Sequence, residues 1–157
     1  MKTKITLISG ILIAVLMIAY SFMQMEYDHK VKQKYYSDRE FARSMGINLD
    51  EPSVKPYEKT SRAGGMVTGV LSLLLITVNF LLVKATKGNK VFKISSVILL
   101  AGSIICSLFS IVLMKSTGGV TFDETGVIWV LLGIVAILFY TVALIKSKQF
   151  TGRVAHS

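Results

Sequence analysis

The sequence has little cysteine and little proline. Cys106 is the single cysteine among 157 residues, which excludes an intramolecular disulfide, a CxxC redox pair and a zinc cluster built on several thiolates. The two prolines, Pro52 and Pro56, both fall within residues 48–57. Because proline fixes φ and biases the residue before it toward extended conformations, an extended segment is predicted there.

Charge is absent from four long stretches of the chain. Residues 5–23, 66–83, 94–114 and 126–145 contain no Asp, Glu, Lys, Arg or His. A helix needs about 20 mostly apolar residues to cross a hydrocarbon core roughly 30 Å thick, and each stretch meets that length. The stretches are continuously apolar and lack the alternation of barrel strands. Because a helix satisfies its own backbone polar groups in lipid, we predict an all-α, integral membrane four-helix bundle.

The missing internal charge also limits the chemistry. Proton relays, ion-coupled transport and voltage sensing normally use ionisable groups at membrane depth. The two histidines, His29 and His156, fall on opposite sides of the membrane in the topology predicted below, which excludes a shared metal or an axial haem pair. The sequence has no Gly-rich phosphate loop, HExxH or GxSxG. We therefore predict no catalytic residues, no cofactor and no metal site.

Acidic residues are absent from alternate connections. Residues 1–4, 84–93 and 146–157 hold nine Lys or Arg and no acid, whereas 24–65 and 115–125 hold nine cations and nine acids. The whole net charge of +9 thus follows the positive-inside pattern. It predicts a multi-pass protein of the plasma (inner) membrane with cytoplasmic N- and C-termini and an uncleaved first helix. The lysines also suit attraction to anionic lipid, the less favoured interpretation.

Residues 24–65 form the predicted extracytoplasmic loop region, and its first section, residues 25–36, is expected to continue the first helix beyond the membrane for some turns. Ser37 and Glu40 match the S-x-x-E capping box, which predicts the start of a short helix, and Gly46 is placed to end it. The region has too few apolar side chains for a core of its own. It is therefore expected to lie on the membrane surface, on the helix ends or on another protein.

Small residues recur at helical spacing in all four stretches, which predicts helix packing or partner contacts. These residues are Gly10, Ala14, Gly65, Gly69, Ser96, Gly102, Ser103, Cys106, Ser107, Ser110, Gly126, Gly133 and Ala136. The serines of the third stretch could alternatively line a pore. Asn79 is expected to form an interhelical or interfacial hydrogen bond, with a ligand contact as the alternative, and Trp129 is predicted to anchor its helix at the membrane interface.

Three functions remain open from the sequence. The favoured one is a non-enzymatic accessory or assembly subunit of a larger membrane protein complex, respiratory or secretory, in a bacterial inner membrane. Its predicted partners are membrane lipid and other membrane subunits, or itself as a homo-oligomer, with no nucleic acid. The alternative is a small oligomeric transporter or channel lined by the serine face of the third helix. The third is a lipid-modifying enzyme that uses Asp28, His29, Asp38 and Glu40.

Overall fold

Continuous apolar sequence without helix breakers produces long helices in this protein. The structure is a computed structural model that describes residues 2–85, 90–115 and 120–152. Its elements are α1 (Lys2–Ser44), α2 (Pro56–Ala85), α3 (Lys90–Lys115), α4 (Phe122–Thr125) and α5 (Val127–Gly152). No strand occurs in those three ranges. Four of the helices are long and apolar enough to cross a membrane, as expected of a multi-pass membrane protein. The centre of the lysine-rich connection, residues 86–89, and His156 lie outside the described residues.

α1 continues past the apolar stretch through residues 25–36, as expected, and then extends further than predicted, to Ser44. It runs unbroken from the apolar stretch 5–23 to Ser44, and Ser37 lies inside it rather than at the start of a new helix. The physical reason is that residues 11–45 contain neither glycine nor proline, so nothing ends the helix after it leaves the apolar stretch. The capping-box prediction is corrected accordingly. Residues 24–44 extend α1 by about 30 Å, at 1.5 Å per residue.

Gly46 ends α1 as predicted. Its φ is +73°, a conformation that favours glycine, and the amide of Ile47 donates to the carbonyl of Ala42 at 2.9 Å. The Gly46 amide donates to the carbonyl of Arg43 at 3.1 Å, which completes a Schellman motif. The chain therefore folds back sharply and residues 47–49 lie beside the last turns of α1.

α2 begins ten residues before the predicted start at residue 66. Pro56 occupies its first position, where a missing N–H costs nothing, and the carbonyl of Lys55 accepts hydrogen bonds from the amides of Glu58 and Lys59. The extended segment predicted for residues 48–57 is therefore shorter, and Gly64 and Gly65 lie within the helix.

The buried positions alternate at steps of three and four in every long helix. In α3 they are Ser96, Leu99, Ser103, Cys106, Ser110 and Leu113. In α2 they include Ser61, Gly65, Thr68, Ser72, Leu75, Asn79 and Leu82. A 3.5-residue period is the pattern of left-handed, coiled-coil-like bundles with helices about 20° from antiparallel. α1 packs against α2 and α5, α2 packs against α3, and α3 meets α5 through aromatic pairs such as Phe92–Phe139.

The bundle buries many small and polar side chains between a few large ones such as Trp129 and Tyr140, and its exterior is aliphatic. Ala14, Ser72 and Ser103 are fully buried, whereas Leu12, Ile98 and Leu138 are more than 60% exposed. Such an exterior would be a large apolar surface in water. In lipid it is the expected arrangement, because close helix approach through small residues drives association there.

The two ends of the bundle differ in their length beyond the apolar stretches and in their charge. The projecting end comprises residues 24–64 and 120–125. The lysine end lies opposite, where α1 and α3 begin and α2 and α5 end, and it carries Lys4, Lys84, Lys90, Lys93 and Lys146.

Candidate functional site

A fully buried carboxylate joins three helices at the projecting end. Asp28, on α1, is 0% exposed, and its side chain accepts hydrogen bonds from the hydroxyls of Thr60 and Ser61 on α2. It also accepts from the backbone amide of Phe122, the first residue of α4, at 3.0 Å. The same amide lies 3.0 Å from Ser61 Oγ. Asp28 thereby satisfies a helix-start donor of α4 from a different element, a long-range equivalent of an N-cap.

The surroundings of Asp28 are closed by side-chain packing. The ring of Phe122 is fully buried and stacks on Trp129, with ring centroids 5.1 Å apart and an interplanar angle of 10°. Gln24 Nε2 donates to the carbonyl of Thr60 at 2.9 Å, one helical turn before Asp28 on α1. Because an unpaired buried charge is costly, the three donors are what makes a carboxylate tolerable at this position.

Trp129 differs from its predicted role. An interfacial anchor would present its indole toward the lipid headgroups, but the Trp129 side chain is 0% exposed. It lies between Phe122 and Phe109, whose ring centroids are 5.1 and 5.9 Å away. The reason is position in the buried pattern, because Trp129 falls on the same face of α5 as Gly133 and Ala136.

An ion-pair cluster lies beside the buried carboxylate. Lys32 Nζ donates to Glu124 Oε1 at 2.7 Å and lies 3.7 Å from Asp123 Oδ2. The hydrogen bond to Glu124 raises the pKa of Lys32, desolvation opposes the rise, and the nearby acid charges add to it. The raised pKa means that the pair stabilises the fold below the ordinary lysine value of 10.5. This contribution is lost as the pH rises through the higher folded-state pKa.

A tyrosine cluster joins the outer half of α1 to the start of α2. Tyr57 is 5% exposed, and its hydroxyl lies 3.3 Å from that of Tyr36, while Tyr35 packs edge-on against both rings. Burial is the larger cause of the raised pKa of Tyr57, followed by the hydrogen bond with Tyr36. Arg39 donates to Tyr35 Oη at 2.7 Å and to the carbonyl of Leu49 at 3.3 Å. The projecting end is therefore braced along its length.

The predicted small residues lie at interfaces inside the bundle. A Cβ on Gly10 would meet the Tyr140 ring at 2.7 Å, and one on Gly133 would meet Ile18 at 2.5 Å. Gly126 faces Met25, Gly65 faces Leu113, and Gly102 faces Leu132. Gly69 has more room, with Ser110 Cβ at 3.5 Å. Ala14, Ala136 and Cys106 are buried in the same core, so these stripes contact helices of the same chain.

The serine face of α3 turns toward the bundle interior. Ser96, Ser103 and Ser110 are fully buried, and Ser107 is partly buried. The Ser103 and Ser110 hydroxyls donate to the backbone carbonyls four residues earlier, at 2.8 and 2.9 Å. Ser110 also lies 3.4 Å from the hydroxyl of Thr68 on α2. Hydroxyls that bond their own helix are the usual arrangement of serine within membrane helices.

Asn79 makes an interhelical hydrogen bond, in line with the favoured interpretation. Its Oδ1 accepts from the Tyr140 hydroxyl of α5 at 2.7 Å, and its Nδ2 lies 3.4 Å from Ser103 Oγ of α3. Asn79 is 1% exposed and Tyr140 is 0% exposed. This polar contact therefore ties three helices together near the lysine end of the bundle.

We expect Asn79 and Tyr140 to be energetically coupled. A double-mutant cycle with Asn79→Ala and Tyr140→Phe should give a coupling free energy of about 0.6–1.7 kcal/mol, the range found for hydrogen bonds between membrane helices. The measurement is unfolding in mixed micelles for the wild type, both single variants and the double variant. Additive effects of the two substitutions would show that the hydrogen bond contributes nothing.

The four residues of the enzyme hypothesis do not converge. Asp28 is buried, whereas His29 is 59% exposed and its Nδ1 lies 3.6 Å from Asp123 Oδ2. Asp38 lines a cleft of about 360 Å³ with Pro52 and Pro56, while Glu40 lies with His29 along a different cleft of about 600 Å³. Within residues 2–85, 90–115 and 120–152, no group of three His, Cys, Asp or Glu side chains could hold a metal ion.

The sequence interpretation did not identify Asp28, Thr60 and Ser61 as one cluster. A signal was present, because Asp28 continues the buried steps of α1 through Leu7, Gly10, Ala14, Met17 and Ser21. An acid at a position that belongs to the buried face of a helix predicts a buried carboxylate that accepts hydrogen bonds from neighbouring elements. The partners could not be predicted while α2 was expected to start at residue 66.

Comparison with protein-family models, with curated proteins and with solved structures gives no match. The function must therefore be argued from the chain's own surfaces.

Proposed function

We propose that this protein is a non-enzymatic accessory or assembly subunit of a larger membrane protein complex, of respiratory or secretory type. It would sit in a bacterial inner membrane with both termini cytoplasmic. The density of Lys and Arg supports this orientation, because residues 1–4, 84–93 and 146–157 hold nine cations in 26 residues, whereas residues 24–65 and 115–125 hold nine in 53. The projecting end would then lie outside the cytoplasm.

The observation that carries the proposal is a set of exposed apolar side chains around the far end of α1. We call it the apolar tip, and it consists of Phe41, Met45, Ile47 and Leu49, with exposed fractions of 67, 64, 55 and 45%. Phe41 and Met45 lie one turn apart on one face of α1. The Schellman turn and the bond from Arg39 to the Leu49 carbonyl hold Ile47 and Leu49 beside Arg39 and Arg43 on the neighbouring face. Exposed apolar clusters on polar segments typically mark protein contacts.

The position of the apolar tip favours a protein partner over lipid. α1 continues for about 30 Å past the apolar stretch, whereas each headgroup layer accounts for only about 5–8 Å. The tip is therefore too far from the hydrocarbon for acyl chains to cover it. A partner must itself project from the membrane or be dissolved beside it.

The rigidity of the projecting end also favours binding of a protein partner. The projecting end is fixed in one conformation before any partner binds. The contacts that fix it are the Asp28 cluster, the tyrosine cluster and the ion pairs of Glu51 with Arg39 and Lys55. A preorganised surface loses less conformational entropy on association, and thus binds more tightly for the same contacts.

The experiment is affinity purification in mild detergent at native expression, with a tag at the C-terminus. We expect a stoichiometric partner chain with the wild type, loss of that chain with Phe41→Asp, and retention with Gln33→Asp, an exposed position on the same helix. A wild-type protein that runs without any co-purifying chain would overturn the proposal.

The transporter or channel alternative requires the α2–α3 interface to open, because the α3 serines are packed between helices. Its test is labelling of Cys106, which is 4% exposed, with a hydrophilic membrane-permeant thiol reagent. Rapid labelling in intact membranes would favour a water-filled path. Absence of labelling, with full labelling after denaturation, would argue against one.

A further inference from the structure

The lysine end concentrates positive charge, and within residues 2–85, 90–115 and 120–152 no carboxylate pairs with it. Residues 1–4, 84–93 and 146–157 contain nine Lys or Arg and no acid. Every ion pair found in the described part of the chain lies at the projecting end, where Lys30, Lys32, Arg39, Lys55 and His29 meet carboxylates. The described side chains of the lysine end therefore carry charge of one sign, which favours binding of anions from outside this part of the chain.

The fold gathers these lysines from four separate helix ends. Lys4 begins α1, Lys84 ends α2, Lys90 and Lys93 begin α3, and Lys146 lies near the end of α5. Lys84, Lys90, Lys93 and Lys146 are exposed and Lys4 is half-buried. The ammonium of Lys84 lies 4.5 Å from the centroid of the Phe80 ring, so this side chain turns back toward the apolar surface.

The apolar residues beside these lysines identify the kind of anion. Ile5, Val91, Ile94 and Ile145 lie within one turn of a lysine and are 57, 74, 59 and 60% exposed. In a membrane these residues lie against acyl chains, which places the neighbouring ammonium groups at the level of the headgroups. A phospholipid would cover them with its acyl chains while its phosphate lies at the height of the ammonium groups.

We infer that the lysine end is a binding surface for anionic phospholipid headgroups, held by Lys84, Lys90 and Lys93, with the acyl chains against the adjacent apolar residues. Each lysine near a negatively charged membrane surface contributes about 1 kcal/mol, roughly a fivefold change in affinity. The inference is independent of the proposed partner complex, because it concerns the opposite end of the molecule and needs no second protein.

The test is native mass spectrometry of the full chain from micelles that contain equal amounts of phosphatidylglycerol and phosphatidylcholine. We expect at least about a tenfold preference for the anionic lipid, falling as salt is raised because exposed charges are screened. The triple variant Lys84→Gln, Lys90→Gln and Lys93→Gln should lose the preference. The matched control, Lys30→Gln, Lys34→Gln and Lys59→Gln, removes the same charge from the projecting end and should keep it.

Three outcomes would overturn the inference. The wild type could bind both lipids equally, both triple variants could lose the preference to the same extent, or glycerol phosphate at the same concentration could displace the lipid. The last would mean a site for soluble anions. If the lysine-end variant does not fold, the wild-type preference and its salt dependence decide the question.

Discussion

Replacing Asp28 with alanine is expected to destabilise the protein by about 3 kcal/mol or more, the largest effect of any single polar substitution described above. The variant leaves the Thr60 and Ser61 hydroxyls and the Phe122 amide without their acceptor. Hydrogen bonds to charged groups contribute about 1.5–3 kcal/mol each, and unsatisfied buried donors add a penalty. The measurement is denaturant unfolding in mixed micelles, followed by helical circular dichroism.

The control is Asp38→Ala, the same substitution at an exposed position on α1, which should change stability by no more than about 0.5 kcal/mol. Asp28→Asn is a second variant that keeps the shape of the side chain. Its amide nitrogen replaces one accepting oxygen, so one of the three hydrogen bonds is lost. This variant should lie between the wild type and Asp28→Ala. Equal stability of Asp28→Ala and Asp38→Ala would contradict the cluster as described.

Gly133→Ala is expected to destabilise the contact between α1 and α5 by about 1–3 kcal/mol, the usual cost of overpacking. A Cβ at this position would lie 2.5 Å from Ile18 Cγ1 and 3.1 Å from the backbone oxygen of Ala14. A new rotamer could move the Ile18 side chain, but the Ala14 carbonyl oxygen belongs to the backbone of α1 and can move only with the helix. The two helices must therefore separate slightly along their length.

Gly69→Ala is the matched control for this prediction. There a Cβ would meet Ser110 Cβ at 3.5 Å and Met114 Cε at 3.8 Å, ordinary van der Waals distances. Since alanine favours helix by about 1 kcal/mol over glycine, this variant should be neutral or slightly more stable. The thermal midpoints of both variants in the same detergent provide the comparison. Equal shifts in the two would show that close approach at Gly133 is not what holds α1 to α5.

The four membrane-spanning helices could be predicted from the sequence because lipid requires continuous apolar stretches of a set length. Outside those stretches, the continuation of α1 over residues 25–36 could be expected, but the unbroken helix to Ser44 and the start of α2 at Pro56 could not. The capping box at Ser37 is a local signal, and it was overridden because no residue before it breaks α1. Pro56 was interpreted as part of an extended segment, although proline is equally at home in the first turn of a helix.

The spacing of small residues predicts that another helix packs closely against them. It does not identify which residues of that helix lie opposite. Gly10 and Ala14 predict that some helix approaches α1 closely, and only the fold shows that Tyr140 and Gly133 on α5 do so. For Trp129 the sequence pattern predicts the wrong environment. A tryptophan near a helix end is typical of interfacial anchors, and its burial depends on Phe122, which only α4 brings into place.

The most direct test of the central claim is site-specific photocrosslinking in native membranes from the apolar tip. A photoreactive residue at Ile47 is compared with one at Gln33, which also lies in the projecting end. The proposed function predicts one heterologous crosslinked chain from position 47 and none from position 33. Crosslinks only to lipid, only to a second copy of this chain, or equally from both positions would contradict it.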